Sequence, residues 1–123
     1  MKNIRVLIAS DSPLQSRSLQ RMLAQNGHQI VQADSGQEAM DHIDKHGVDL
    51  CFVQDVLPDK SGLELCRAYA AASEADRIPI VVFSRQAATE ERALAAGAAD
   101  FLKMPCQSQD ALNLLENWGG GGR

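Results

Sequence analysis

The chain has 123 residues, 45% of them apolar and 23% charged, with a formal net charge of −4. That length supplies one packed core and not two. The acidic balance gives no basic footprint for nucleic acid, and no apolar run approaches the ~20 residues that span a bilayer. Neither nucleic acid nor a membrane is therefore an expected partner.

The first five residues, Met1-Lys-Asn-Ile-Arg5, lead into a strand without the apolar stretch of a secretory signal. Ile4–Ala9 is a near-continuous run of branched and aliphatic residues, the pattern of a strand buried on both faces. Ser12 and Pro13 then predict a helix start, with Ser12 as N-cap and Pro13 in the first turn. Leu19, Met22 and Leu23 form its apolar face, and Asn26-Gly27 ends it. His28–Ala33 reads as a second, more polar strand. Ser35 and Glu38 fit a capping box for a helix that turns Ala39, Met40 and Ile43 inward and closes at Gly47.

The alternation continues to the end of the chain. Strands are predicted at Leu50–Gln54, Ile80–Ser84 and Asp100–Lys103, and helices at Gly62–Ala72, about Thr89–Ala96 and Asp110–Trp118. Strands alternating with helices imply a parallel sheet covered on both faces. The expectation is a flavodoxin-like doubly wound α/β fold with five strands in the order 2-1-3-4-5. Residues 1–118 form the expected domain, and 119–123 a flexible glycine-rich tail. That tail is either a linker to an output domain after residue 118 or an appended, non-native segment. Cys51, Cys66 and Cys106 lack metal-ligand spacing and read as reduced thiols of a cytoplasmic protein. A free reactive thiol at Cys106 is the alternative.

In such a fold, ligands bind at the carboxyl ends of the central strands. Ser10 and Asp11 follow the first strand, Gln54 ends the third, Ser84 ends the fourth, and Met104 precedes Pro105 after the fifth. Pro58 lies four residues beyond Gln54 and Gly62 four beyond that. Together with Pro79–Ser84 and Ala96–Leu102, these segments resemble, over residues 4–117, the receiver domain of two-component response regulators. The resemblance implies an acceptor Asp at position 54, paired acids at 10 and 11 that hold Mg²⁺, a hydroxyl at 84 for a phosphoryl oxygen, and a lysine at 104. Asp11 and Ser84 keep the pattern; Ser10, Gln54 and Met104 depart from it. A carboxamide is too weak a nucleophile to accept a phosphoryl group as an acyl phosphate. A hard divalent cation wants several anionic oxygens, and only Asp11 remains as a weak candidate. No cofactor is expected.

Two neighbours offer a shifted register, Asp55 after Gln54 and Lys103 before Met104. Side chains alternate along a strand, so both are expected to point away from the pocket unless a bulge re-aims them. Arg85, beside the hydroxyl position, is a candidate gate that could pair with Asp11 or Asp55; the alternative is a solvent-facing arginine. Phe101 stands where the resemblance implies an aromatic that changes rotamer, and is expected to be held in one. His28, His42 and His46 are expected at the surface.

These residues predict a pseudo-receiver: a phosphorylation-independent signalling module that acts by binding proteins rather than as an enzyme. The resemblance implies a docking face made by the fourth helix, fifth strand and fifth helix, with homodimerisation as one use of it. Two alternatives remain open. Asp55 could accept the phosphoryl group with Mg²⁺, or the altered pocket could sense a small neutral or anionic molecule.

Overall fold

The short apolar runs become five strands: β1 (Arg5–Ala9), β2 (Gln29–Ala33), β3 (Leu50–Gln54), β4 (Ile80–Ser84) and β5 (Asp100–Lys103). Between and after them lie α1 (Pro13–Ala24), α2 (Gly36–His46), α3 (Gly62–Ala70), α4 (Thr89–Ala95) and α5 (Ser108–Trp118). This computed structural model describes residues 3–24, 27–70 and 78–119. The expected helix end at Asn26, the extension of the third helix to Ala72, and residues 120–123 of the tail lie outside that set.

The sheet is parallel throughout and ordered β2-β1-β3-β4-β5. Its centre carries the most apolar sequences because it is covered from both sides: Val6–Ala9, Leu50–Val53 and all of β4 are buried. The edge strands β2 and β5 keep exposed polar positions such as Gln29, Gln32 and Lys103. Alternation along the strands sorts the core into two layers. Ile8, Phe52, Phe83 and Leu102 pack with Leu19 and Leu23 of α1 and Leu114 and Leu115 of α5. Leu7, Val53 and Val82 pack with Ala39 of α2, Leu65 and Cys66 of α3, and Ala93 of α4. Each large aliphatic or aromatic side chain so buried contributes about 1.5–3 kcal/mol.

Local signals in the sequence set most element ends. Ser12 caps α1 by accepting from Gln15 N at 3.3 Å. Ser35 caps α2 by accepting from Glu38 N at 3.1 Å, while Glu38 reaches back to Asp34 N, one residue short of a capping box. Gly47 closes α2 with φ of 76°, a conformation open to glycine at little cost. The fifth helix starts two residues earlier than expected, because the Asp110 carboxylate accepts from Gln107 N at 3.0 Å and so stands inside the first turn. Gly119 belongs to the folded domain rather than the tail: it is buried and its N–H caps α5 on Leu115 O at 2.7 Å.

His28 corrects an expectation. It is 6% exposed, its Nδ1 accepts from Ile4 N at 3.1 Å, and its Nε2 has no partner among the described residues. His28 stitches the start of β1 to the start of β2, a long-range role that local sequence does not reveal. Cys51 and Cys66 are buried, and burial pushes the Cys66 thiol up to about 11. Burial, and then the nearby Asp110 carboxylate, also raise the Cys106 pKa. Cys106 lies 3.8 Å from Met22 Sδ, and the shift opposes thiolate reactivity.

A second cap on α2 comes from a distance. The exposed Asp59 carboxylate accepts from Gly36 N at 2.7 Å and Gln37 N at 2.9 Å, tying the β3–α3 loop to the helix start. These backbone N–H groups hold the Asp59 carboxyl below its ordinary value of 3.8. A lowered folded value means that the stabilisation is fully present above the ordinary value and is lost as pH falls through the folded one. Asp59→Ala is expected to melt at a lower temperature than the parent at neutral pH. The gap should close in acid, which thermal melts across a pH series would check.

Candidate functional site

The carboxyl ends of β1, β3 and β4 meet at the centre of the sheet, and backbone proximity there is enforced by glycine. A Cβ at Gly62 would run into the backbone oxygen of Gln54 and lie 2.6 Å from Val53 Cγ1. Only glycine lets α3 begin directly against the end of β3. Gly62 N donates to Asp55 O at 2.8 Å, and Leu57 N to Lys60 O at 3.0 Å, closing the intervening loop on itself.

Gln54 is the hub of the first polar cluster. By alternation it projects to the side of the sheet shared with Phe52 and Ile8, beneath α1. Its Oε1 accepts from Ser10 Oγ at 2.6 Å. Its Nε2 donates to Asp11 Oδ1 at 2.7 Å and to the Val56 carbonyl at 2.6 Å. A carboxylate and a carbonyl can only accept, so the amide nitrogen must face them. Ser10, 6% exposed, in turn accepts from Ser12 N at 3.0 Å at the entry to α1. The amide thus uses both N–H groups and its oxygen to join β1, β3 and the loop after β3.

Asp55 belongs to a second cluster. Its N–H continues the sheet ladder by donating to Phe83 O at 3.1 Å. Alternation therefore sends its side chain away from the Gln54 amide, as expected. Ser84 ends β4 on that same side, and Ser84 Oγ donates to Asp55 Oδ2 at 2.9 Å. Thr89 Oγ1 lies 3.5 Å from the same oxygen and 3.4 Å from Ser84 Oγ. Both hydroxyl-bearing residues are almost wholly buried. The hydroxyl expected to serve position 54 is engaged by position 55, and Thr89 was not foreseen as its companion.

The remaining expected residues lie apart from the Gln54 amide. Met104 is 3% exposed and its side chain belongs to the apolar cluster with Ile8, Phe52 and Phe83, so it is a core residue rather than a wall of the cleft. Lys103 is exposed and its ammonium donates to Met104 O at 3.1 Å. Arg85 lines the cleft mouth and is exposed, with no ion pair to Asp11 or Asp55, which matches the solvent-facing alternative. Phe101 is half-buried against the core on the side of α3 and α4. A cleft of about 240 Å³ opens over the site, lined by residues that include Gln15, Gln54, Asp55, Val56, Ser84 and Arg85.

A divalent cation does not fit this donor set. Among the described residues no group of three His, Cys, Asp or Glu side chains is placed to hold a metal. Asp11 Oδ1, the one carboxylate oxygen of the expected metal set, already receives an N–H of Gln54, and the other N–H goes to Val56 O. A donor amide between two oxygens satisfies them without charge. Hard-cation coordination would require it to swing away.

The chain matches the family model for the response regulator receiver domain over residues 6–116. It is 33% identical over 111 residues to the response regulator MprA of Mycolicibacterium vanbaalenii, covering 89% of this chain and 47% of that protein. It is 30% identical over 122 residues to the two-component response regulator ORR1 of rice (Oryza sativa subsp. japonica), with 89% and 53% covered. The chain thus spans about half the length of these curated relatives. In fold it superposes on the receiver domain of the sensor histidine kinase PA1611 of Pseudomonas aeruginosa, which has magnesium coordinated in its active-site cleft. The TM-score is 0.85 at 23% identity, covering 97% of this chain and 99% of that one. This chain belongs to the response regulator receiver domain family.

Proposed function

We propose that this receiver domain signals without being phosphorylated, by binding proteins. The observation that carries the reading is the Gln54 carboxamide bonded at once to Ser10, Asp11 and the Val56 carbonyl. The amide stands at the acceptor position, it cannot form an acyl phosphate, and it occupies the Asp11 carboxylate, the one acid left for a metal. Ser10 adds a neutral hydroxyl where an acid would be needed, and Met104 puts a thioether into the core where a cation would be needed. Such a module changes its partners' behaviour by occupancy rather than by catalysis.

The face proposed for partners is that of α4, β5 and α5, for another protein or a second copy of this chain. Leu94 is 46% exposed there, and Glu91, Ala95, Lys103 and Asp110 of the same three elements are exposed as well. No described helix is long and apolar enough to cross a membrane, and the proposed setting is the cytoplasm. An output domain following residue 118 is part of the same proposal, since the matched relatives extend well beyond this length.

One observation favours a second reading, in which Asp55 is the phosphoryl acceptor. Its carboxylate already accepts from Ser84, the hydroxyl that would hold a phosphoryl oxygen.

Titration with Mg²⁺, followed by tryptophan fluorescence or amide shifts, is expected to show no saturable site in the range that fills metal-binding receivers. Saturation in that range would contradict the reading. Incubation with acetyl phosphate and Mg²⁺ is expected to leave the intact mass unchanged, for the parent and for Gln54→Asp alone. Partial labelling should appear only when Ser10→Asp is added. Adding Met104→Lys costs stability, since it places an ammonium in a buried apolar cluster. Robust labelling of Gln54→Asp alone would show that the loss at position 10 is unimportant. Labelling of the parent that Asp55→Asn abolishes would establish the second reading.

A further inference from the structure

We infer that Asp55 is a built-in latch that sets the position of the β4–α4 segment. A single carboxylate oxygen, Asp55 Oδ2, receives Ser84 Oγ at 2.9 Å and stands 3.5 Å from Thr89 Oγ1. The first hydroxyl ends β4 and the second opens α4, so one side chain of the β3–α3 loop holds both ends of the intervening turn. The carboxylate is delivered rigidly. Asp55 N is bonded to Phe83 O, and Asp55 O accepts from Gly62 N and Ser61 Oγ.

What it holds is otherwise weakly anchored. Helix α4 has only seven residues, and its N-cap, Ala88, offers no side-chain hydrogen bond. Residues 85–88 are all exposed, and so are Glu90, Glu91, Arg92, Leu94 and Ala95. Only Thr89 and Ala93 of α4 are buried, and Ala93 contributes a single methyl group to the core. The turn between is tied by Gln86 N, which donates to Ser84 Oγ at 3.0 Å, so that bond too depends on where the Ser84 hydroxyl points. With the carboxylate removed, two nearly fully buried hydroxyls lose their shared anionic acceptor, and Ser84 Oγ keeps its contacts with Thr89 Oγ1 and Gln86 N. A hydrogen bond to a charged group contributes more than a neutral one, and a buried donor left unmade is costly. The placement of the segment therefore depends on the Asp55 side chain.

The consequence is control from within the chain. The same strand end carries Gln54 and Asp55 on opposite sides of the sheet. A partner that moved the β3–α3 loop would withdraw the carboxylate and release α4 without any phosphoryl group. The latch stands whether or not the domain accepts phosphate, so its test uses no phosphoryl donor.

Hydrogen exchange of backbone amides is measured for the parent, Asp55→Ala and Thr89→Val, the last keeping the shape of the side chain while removing its hydroxyl. Asp55→Ala is expected to speed exchange at residues 86–96 roughly tenfold or more while leaving α1 and α2 within about twofold of the parent. Thr89→Val should give the same pattern with smaller amplitude. Unchanged exchange at 86–96 in Asp55→Ala would overturn the latch. So would an equal rise at every amide, which would mark a general loss of stability. If Asp55→Ala fails to fold, Thr89→Val decides: a rise confined to 86–96 supports the latch, and any other pattern overturns it.

Discussion

A primary amide has two N–H donors and one oxygen, and at Gln54 all three are used within one residue's reach of the sheet. The donors go to Asp11 and Val56 and the oxygen takes Ser10. Three segments that would otherwise present unpaired oxygens to one another, the β1–α1 turn, the end of β3 and the loop after it, are joined without any net charge being introduced. A carboxylate in the same place would set its own oxygens against those of Asp11 and Val56, and would need a cation between them. The amide instead bonds both oxygens directly. Ser10 as a hydroxyl follows from the same constraint, because an acid there would face the amide oxygen with no proton to share.

The two-residue period of a strand then divides the chemistry. Gln54 and Asp55 are adjacent in sequence but serve opposite faces, the first under α1 and the second towards α4. In a phosphorylated receiver the residue at position 54 and the hydroxyl at 84 would be linked by the phosphoryl group. Here each has found a different partner inside the chain: Ser84 takes Asp55, and Gln54 takes Ser10 and Asp11. Met104 fits this picture as well. On the proposed reading no developing negative charge needs a cation there, and the apolar side chain completes the cluster of Ile8, Phe52 and Phe83.

The elements of the fold were largely legible because their signals are local. Branched apolar runs marked the central strands, and Ser12, Ser35, Gly47 and Gly62 marked the boundaries, with differences of a residue or two where a cap came from further along. Spacing named Ser10, Asp11 and Gln54, which meet at one strand end, but it also named Met104, which lies in the core. What sequence could not supply was pairing across long separations. His28 looked like a surface residue because nothing local says that Ile4 N will point at its ring. Asp59 reaches a helix start 23 residues away, and Thr89 joins Asp55 across 34. Alternation correctly turned Asp55 away from Gln54, but it could not show that the end of β4 brings the buried Ser84 hydroxyl to that side.

The account stands on the Gln54 amide, and its side-chain ¹H–¹⁵N resonances test it most directly. Both protons are expected to be protected from exchange and displaced from the values of a solvated glutamine. They should stay in place when millimolar Mg²⁺ and beryllofluoride are added. Fast-exchanging protons at solvated positions, or a saturable shift on adding that mixture, would show that the amide is free to leave Asp11 and Val56 and would contradict the account.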